Sequence, residues 1–304
     1  MDNESRKPPP GGQCMVSILV LTRNEEQDLP GCLESVKWSD DVHVYDSFST
    51  DKTLEIARAS GARVTQRTFD NYSAQRNWGL ANIPFKHPWV FSIDADERMT
   101  PELVREVQCA VQHPGQNAAF RVRRRDFFMG RWLKHVQATP YYIRLFRPGK
   151  MHYKRLVHSY IMVSGEVGLV PGYLDHFPFS KGLAPWLDRH NKYSTFEAEQ
   201  HMLDRAASVK FSFWKALFER DPQQRRFHQK GLFHRFKGRS FIRFLYLYVF
   251  RLGFLDGRPG LTYAVLQSIY EYMIVLKIRE LSVAKQPLFN KDPLANQPPA
   301  VSPS

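Results

Sequence analysis

Apolar and polar positions fall into blocks along the first third of the chain. Met15-Val-Ser-Ile-Leu-Val-Leu21 is an apolar run, the pattern of a parallel strand buried on both faces. It gives way to Thr22-Arg-Asn-Glu-Glu26, then to Leu29, Leu33 and Val36 at helical spacing. Val42-His-Val-Tyr45 predicts a second strand ending in Asp46-Ser-Phe-Ser-Thr-Asp51, and a helix from near Lys52 carries Leu54, Ile56 and Ala57. Ala62 to Thr65 predicts a third strand, Tyr72 to Leu80 a short helix, and Trp89 to Ile93 a fourth strand. Thr100-Pro-Glu102 opens another helix with a hydroxyl N-cap, proline at the first position and an acid next.

Strands alternating with helices at this spacing predict an α/β fold with a Rossmann-like, mostly parallel sheet and flanking helices. Ligands of such sheets sit beyond the carboxyl ends of the strands. Thr22 to Glu25, Asp46 to Asp51 and Asp94-Ala-Asp96 all lie at predicted carboxyl ends. Two acids one residue apart can converge on a hard cation such as Mg²⁺ or Mn²⁺. Taken alone, Asp94 and Asp96 read sooner as a strand end whose acids cap the next helix, since such turns are common in α/β proteins. Three polar clusters on one edge favour a ligand.

The pattern changes after about Ala118. Phe120 to Asp126, Tyr142 to Phe146, Leu156 to Val163 and Val167 to Leu174 predict strands, with turns at Pro148-Gly149 and Ser164-Gly165. From Gly182 the chain reads as helical through about Phe218, followed by apolar stretches Phe241 to Leu255 and Leu261 to Leu276. Arg243, Arg251 and Glu271 interrupt them, so neither supplies the roughly 20 clean apolar residues of a spanning helix.

Charge adds a second theme. The net charge is +13, and between Arg205 and Arg251 twelve Lys and Arg face only Glu219 and Asp221. Aromatics interleave with those cations (Trp214, Phe218, Phe227, Phe233, Phe236, Phe241, Phe244), which suits an interfacial helix on anionic lipid. Single-stranded nucleic acid would accept the same composition. The long aliphatic stretches favour the membrane, and no nucleic-acid partner is expected. A helical hairpin buried against the rest of the chain is the plainer alternative. Cys14, Cys32 and Cys109 have no metal-type spacing and suit free thiols in a reducing compartment. Residues 1–14 and 286–304 are Pro-rich and expected to be unstructured, with no apolar signal-peptide core at the start.

No G-x-G-x-x-G and no G-x-x-x-x-G-K-[ST] is present, which argues against dinucleotide and Walker-type phosphate binding. A divalent cation on the Asp pair would instead neutralise a diphosphate and stabilise it as a leaving group. Asp46 is placed to accept hydrogen bonds from a base or ribose. Thr22-Arg-Asn-Glu25, Tyr45 to Thr53, Gln75-Arg-Asn77 and Asp94-Ala-Asp-Glu97 resemble the motifs of inverting family 2 glycosyltransferases with the GT-A fold. Phe128-Met-Gly-Arg-Trp132, Arg144-Leu-Phe-Arg147, Arg155-Leu-Val-His158, Asn191-Lys-Tyr-Ser194 and Gly253-Phe-Leu-Asp-Gly257 are similar to the branch that includes lipopolysaccharide-core heptose glucosyltransferases. The resemblance runs from about Met15 to Glu280.

That resemblance implies roles by position. Thr22, Asn24, Glu25, Asp46, Ser49, Asp51, Gln75, Asn77 and Asp94 would bind the nucleotide-sugar donor. Asp94, Asp96 and His176 would hold the divalent cation, Mg²⁺ or Mn²⁺, with Asp96 the direct ligand. A structural hydrogen-bonded histidine is the equal alternative for His176. The branch carries Glu after Val-His as a plausible base, whereas this chain has Ser159, leaving His158, Asp126 and Glu166 as candidates. Gln137-Ala-Thr-Pro140 also departs from the branch at the acceptor side. Arg121, Arg123 and Arg125 alternate onto one strand face, and Arg123, Arg125 and Arg144 are the acceptor candidates; a charged edge strand is the bland reading.

The domain organisation expected is a lead-in over 1–14, a GT-A catalytic domain over 15–180 and a basic, amphipathic helical region over 181–285. The nucleotide half covers about 15–117 and the acceptor half about 118–180, and a tail covers 286–304. The function expected is metal-assisted inverting transfer from a nucleotide-diphosphate sugar, UDP-linked, to a lipopolysaccharide-core or other bacterial glycolipid or polysaccharide, on the cytoplasmic face of the cell membrane. The alternatives are a nucleotidyltransferase, a degenerate donor-binding protein, or a basic membrane- or RNA-binding protein without turnover.

Overall fold

The computed structural model describes residues 15–137, 139–154, 160–206, 210–219, 222–233, 236 and 238–283. The chain divides into two compact units, Met1–Leu183 with Leu255–Pro259, and Ala184–Phe254 with Gly260–Ser304.

The first unit opens with β1 (Val16–Thr22), α1 (Leu29–Val36), β2 (Val42–Asp46), α2 (Thr53–Ala59), β3 (Arg63–Gln66), α3 (Tyr72–Asn82) and β4 (Trp89–Asp94). It continues with β5 (Glu97–Met99), α4 (Pro101–Gln112), β6 (Asn117–Phe128), β7 (Arg131–Trp132), β8 (Tyr141–Phe146), β9 (Met151–Lys154), β10 (Tyr160–Val163) and β11 (Glu166–His176). The sheet order is β3-β2-β1-β4-β8-β6-β11-β5, with β7 hung on β6 and β9 paired separately with β10. The β1–β2, β1–β4, β2–β3 and β6–β11 pairings are parallel. β8 enters antiparallel between β4 and β6. The architecture is therefore the expected α/β sheet with flanking helices.

Period-two alternation sorts the strand side chains between two cores. Ile18 and Val20 join Leu29, Val36, Leu103 and Val107 of α1 and α4 on one face. Leu19, Tyr45 and Val90 meet Ile83 and Tyr153 on the other. Thr100 caps α4 as its sequence predicts, accepting from the Leu103 amide at 3.1 Å. β11 bulges between Val170 and Tyr173. A Cβ at Gly172 would lie 2.7 Å from Leu103 Cα, so only glycine lets this strand approach α4 so closely. β6 lies between β8 and β11, so the edge-strand reading of its arginines is corrected.

The second unit is helical. It contains most of α5 (Leu183–Ala206), then α6 (Phe213–Phe218), α7 (Pro222–Phe233), α8 (Arg239–Leu245), which runs into a π-helical turn, and most of α9 (Gly257–Val283). Lys277 donates to Asn191 O (2.6 Å) and Thr195 Oγ1 (2.7 Å), tying α9 to α5. No helix of the described residues is long and apolar enough to cross a membrane.

Candidate active site

The turns after β1 and β2 are built as one piece. Asn24 takes a left-handed backbone (φ 55°), which its short amide side chain tolerates. Its backbone N–H donates to Ser49 Oγ (2.8 Å), and its side-chain Oδ1 accepts from Thr50 N (2.8 Å). Glu25 N donates to Thr53 Oγ1 (2.7 Å), and Glu26 N to Asp51 Oδ2 (3.1 Å). Phe48, also left-handed (φ 53°), is held at the tip of the second turn with its ring 55% exposed. A bulky residue in that region is strained, and strain of this kind gathers at functional turns.

Several expected donor contacts sit deeper than the sequence suggested. Asp46 is fully buried, and its oxygens accept from Thr22 Oγ1 (2.9 Å), Ser49 N (2.8 Å), Ser49 Oγ (2.5 Å) and Gln66 Nε2 (3.1 Å). As placed it braces the two turns instead of facing a base or ribose. Asp51 accepts from Thr53 N at 3.0 Å at the start of α2. Gln75 is buried against Ser47 Oγ. Asn77 exchanges two 2.8 Å hydrogen bonds with the Tyr153 backbone, stitching α3 to β9.

A charged cluster lies at the carboxyl end of β4. Arg144 Nη2 sits 2.8 Å from Asp94 Oδ2 and 2.5 Å from Glu97 Oε1. Arg76 approaches Asp94 at 4.0 Å. Burial pushes the Asp94 carboxyl up, but Arg144 and Arg76 outweigh it and hold it well below its usual range. Glu97 is fully buried, and that burial raises its carboxyl in spite of Arg144. Arg144 is held far above its usual range by Asp94 and Glu97, against the effect of burial. Nearby, burial lifts Glu25 to about 7 even though Lys181 Nζ stands 2.8 Å away.

His176, at the end of β11, bridges two acids. Its Nδ1 is 2.5 Å from Asp126 Oδ1, and its Nε2 is 3.3 Å from Asp96 Oδ2. Burial works against the imidazolium, but hydrogen bonds to Asp126 and Asp96 prevail and raise His176 to about 9. Asp126 is 2% exposed and also meets Gln137 Nε2 and, at 3.0 Å, Arg124 Nε. So enclosed, it is placed to orient His176 rather than to take a proton from an acceptor hydroxyl, which corrects its candidacy as base. Glu166 pairs with Asn117, ten residues before the His176–Asp126 pair. It therefore lies about 30 Å away on the opposite edge, and its candidacy falls. His158 and Ser159 lie outside the described residues.

The acceptor arginines separate. Arg144 belongs to the acidic cluster, whereas Arg123 and Arg125 occupy the other face of β6. Arg123 donates to Tyr141 Oη (2.6 Å), and Arg125 pairs with Asp175 (2.6 Å). Beside the site opens a cavity of about 430 Å³ walled by Phe127, Met129, Phe177 and Phe179 above Asp28 and Arg98. Phe177 N donates to Asp96 O at 2.9 Å, so that wall adjoins the acid pair. Gly31 leaves room for Arg98, whose Nε would otherwise lie 2.5 Å from a Cβ.

Residues 17–167 match the sequence profile of Glycosyl transferase family 2. The chain is 29% identical over 213 residues to the lipopolysaccharide core biosynthesis glycosyltransferase LpsC of Rhizobium meliloti, covering 67% of this chain and 76% of that one. The chain belongs to glycosyltransferase family 2. An uncharacterized glycosyltransferase of Rickettsia bellii is 34% identical over 111 residues, 36% of this chain and 37% of its own length. Among solved structures, glucosyl-3-phosphoglycerate synthase from Mycobacterium tuberculosis, in complex with Mn²⁺, uridine-diphosphate-glucose and phosphoglyceric acid, gives a TM-score of 0.33. It is 23% identical over 36% of this chain and 44% of that one. S. aureus TarS 1-349 gives 0.40 at 15% identity, over 88% and 92%. Scores this low carry no functional weight.

For a family 2 glycosyltransferase the remaining question is the cation. No group of three or more His, Cys, Asp or Glu arranged to hold a metal ion occurs among the described residues, because Asp94 is turned to Arg144. Asp96 and His176 fit as a pair once Nε2 of His176, proton-bound here between two carboxylates, gives up its proton to make way for the cation. Their 3.3 Å separation is close to the span of neighbouring ligands around an octahedral cation with bonds of about 2.1 Å. Such ions take one or two protein ligands and leave the rest to substrate phosphates and water. Of the three expected ligands, the structure brings Asp96 and His176 together and turns Asp94 to Arg144. The motifs Asp94-Ala-Asp-Glu97 and Gln75-Arg-Asn77 contained Glu97 and Arg76 without giving them a role, and no sequence signal singled out Arg124 or Lys181.

Proposed function

We propose that this family 2 glycosyltransferase catalyses inverting, metal-assisted transfer of a sugar from a UDP-linked donor to a lipopolysaccharide-core or related bacterial glycolipid or polysaccharide. The observation that carries the reading is the Asp96–His176 pair, 3.3 Å apart at the carboxyl edge of the sheet. Asp96 and His176 would hold Mg²⁺ or Mn²⁺. When bound there, such a cation would supply charge neutralisation to the diphosphate leaving group. Asp126 fixes the orientation of the imidazole through Nδ1. Arg144 keeps Asp94 ionised and aimed away from the cation, so Asp96 alone supplies the carboxylate ligand. The braced turns at Asn24 and Phe48 form the nucleotide side. The similarity to LpsC supports the class of acceptor.

The second unit supports a peripheral attachment to anionic lipid on the inner face of the cell membrane. On α9, Leu261, Val265, Ile269, Tyr272 and Leu276 are exposed at helical spacing. On α6, Phe213, Trp214 and Phe218 are each more than 60% exposed beside Lys215. Trp214→Ser with Phe218→Ser is expected to lower co-sedimentation with phosphatidylglycerol vesicles at least several-fold, with no change on phosphatidylcholine vesicles.

The reaction itself is tested by screening UDP-sugars for hydrolysis with and without Mn²⁺. Mn²⁺-stimulated release of UDP is the expected result. Release of pyrophosphate from a nucleoside triphosphate and sugar phosphate would instead establish a nucleotidyltransferase.

A further inference from the structure

The motif Gly253-Phe-Leu-Asp-Gly257 has no role in the site as described so far. Its acid, Asp256, is 1% exposed and lies in the same compact unit as the sheet. Asp256 Oδ2 accepts from two successive amides, His135 N (2.9 Å) and Val136 N (2.8 Å), while Oδ1 meets His135 Nδ1 at 2.8 Å. Consecutive amides converging on one anion form a nest, a backbone site shaped for a carboxylate. Arg131 Nη2 adds a 3.1 Å hydrogen bond to Leu255 O.

The clamped segment is the return arm of the hairpin that follows β6. Leu133 N donates to Asp126 O at 2.9 Å and closes the hairpin. Residues 134–137 then run as bends without strand pairing. Their register is set by Asp256 instead. The next residue, Gln137, donates from Nε2 to Asp126 Oδ2. Asp126 Oδ1 meets His176 Nδ1, and His176 Nε2 faces Asp96.

We propose that Asp256 is a positioning residue for the transfer reaction: by clamping the 135–137 segment it seats Gln137 on Asp126, and Asp126 in turn aims the His176 imidazole at Asp96. This rests on Asp96 and His176 holding the donor's cation, as proposed above. A partner hydrogen-bonded directly to a ligating histidine, as Asp126 is to His176, tunes affinity by about 10- to 100-fold. Gln137 and Asp256 stand one and two contacts further out and act through it, because a ligand left free to rotate must be ordered on binding.

The test is titration of the full chain with UDP, with and without Mn²⁺, for wild type, Asp256→Asn, Gln137→Leu and the double variant. Each single variant is expected to weaken Mn²⁺-dependent UDP binding several-fold, below the roughly 10- to 100-fold of a direct partner, and to leave metal-free UDP affinity unchanged. The double variant is expected to be no weaker than the worse single one, since both act along one path. Should Asp256→Asn fail to fold, Gln137→Leu, a change at a half-buried side chain, carries the same comparison. A folded Asp256→Asn with wild-type Mn²⁺-dependent affinity overturns the inference alone, as does additivity in the double variant. Wild type without any Mn²⁺-dependent UDP binding overturns the proposed function and the inference together.

Discussion

The same parallel strands end in two buried charged networks that behave in opposite ways. At the amino edge, Asp41 precedes β2 and is 1% exposed. Its Oδ2 accepts from Ser17 Oγ (2.5 Å) and Lys86 N (2.8 Å), while Oδ1 takes Arg63 Nη1 (2.8 Å) and faces His43 Nε2 (3.0 Å). Burial raises the Asp41 carboxyl, but these hydrogen bonds and charges outweigh it and hold the group below its usual range. Burial lowers His43. At the carboxyl edge the network is incomplete. Buried Arg144 Nε and Glu25 Oε2 have no hydrogen-bond partner among the described residues. Glu25 stands at about 7 and His176 at about 9. A fully satisfied buried network rigidifies and specifies structure, as the one around Asp41 does. One edge braces the strands; the other is the edge at which the donor is proposed to bind.

Breaking the amino edge should give the largest loss of stability. Asp41→Ala strips the shared acceptor from Ser17, His43, Arg63 and the Lys86 amide, and about 3–5 kcal/mol of stability is expected to go with it. Urea unfolding measures this, and the folded fraction should keep its affinity for UDP with Mn²⁺. A comparable loss of UDP affinity would erase the distinction between the edges.

The pH dependence sharpens the contrast, because Glu25 and His176 at the carboxyl edge respond with opposite sign to Asp41 and His43, while Asp94, held down by Arg144, follows Asp41. Glu25 and His176 have folded values above their unfolded ones, so folding favours their proton-bound forms. Their stabilisation is complete below 4.5 and 6.5 respectively, and it is lost as pH rises through about 7 and about 9. His43 and Asp41 are depressed, so their contribution is present above 6.5 and 3.8 and fades as pH falls below those values. Melting temperature against pH should therefore be a dome. Glu25→Gln should flatten its fall between about 4.5 and 7, and His43→Gln its fall below 6.5. Matching slopes in wild type and Glu25→Gln would contradict the placement of Glu25. The smallest effect belongs to Arg63→Ala, since the arginine side chain is 58% exposed. About 1 kcal/mol or less is expected in the same urea experiment.

The sequence disclosed much of the sheet and less of the site. β1, β2 and β4 announced themselves as apolar runs, and the turns after them carried acids at a common edge. What stayed hidden depends on pairing between distant strands. β8 enters antiparallel beside β4, and no local periodicity shows that this brings Arg144 onto Asp94 and Glu97. Alternation along β6 showed that Arg123 and Arg125 share a face. Only the fold shows that Arg124 and Asp126, on the opposite face, join the acids. Asp46 looked like a nucleotide contact because its position matches one, yet four donors enclose it. The partner of Asp256 lies 120 residues upstream, beyond any motif spacing.

The account turns on Asp96 as the carboxylate that holds the donor's cation at the carboxyl edge. Isothermal titration of Asp96→Ala with UDP, in the presence and absence of Mn²⁺, tests it most directly. The prediction is that the Mn²⁺-dependent part of UDP binding disappears while the metal-independent part is retained. Mn²⁺-dependent UDP binding at wild-type strength in Asp96→Ala would contradict it.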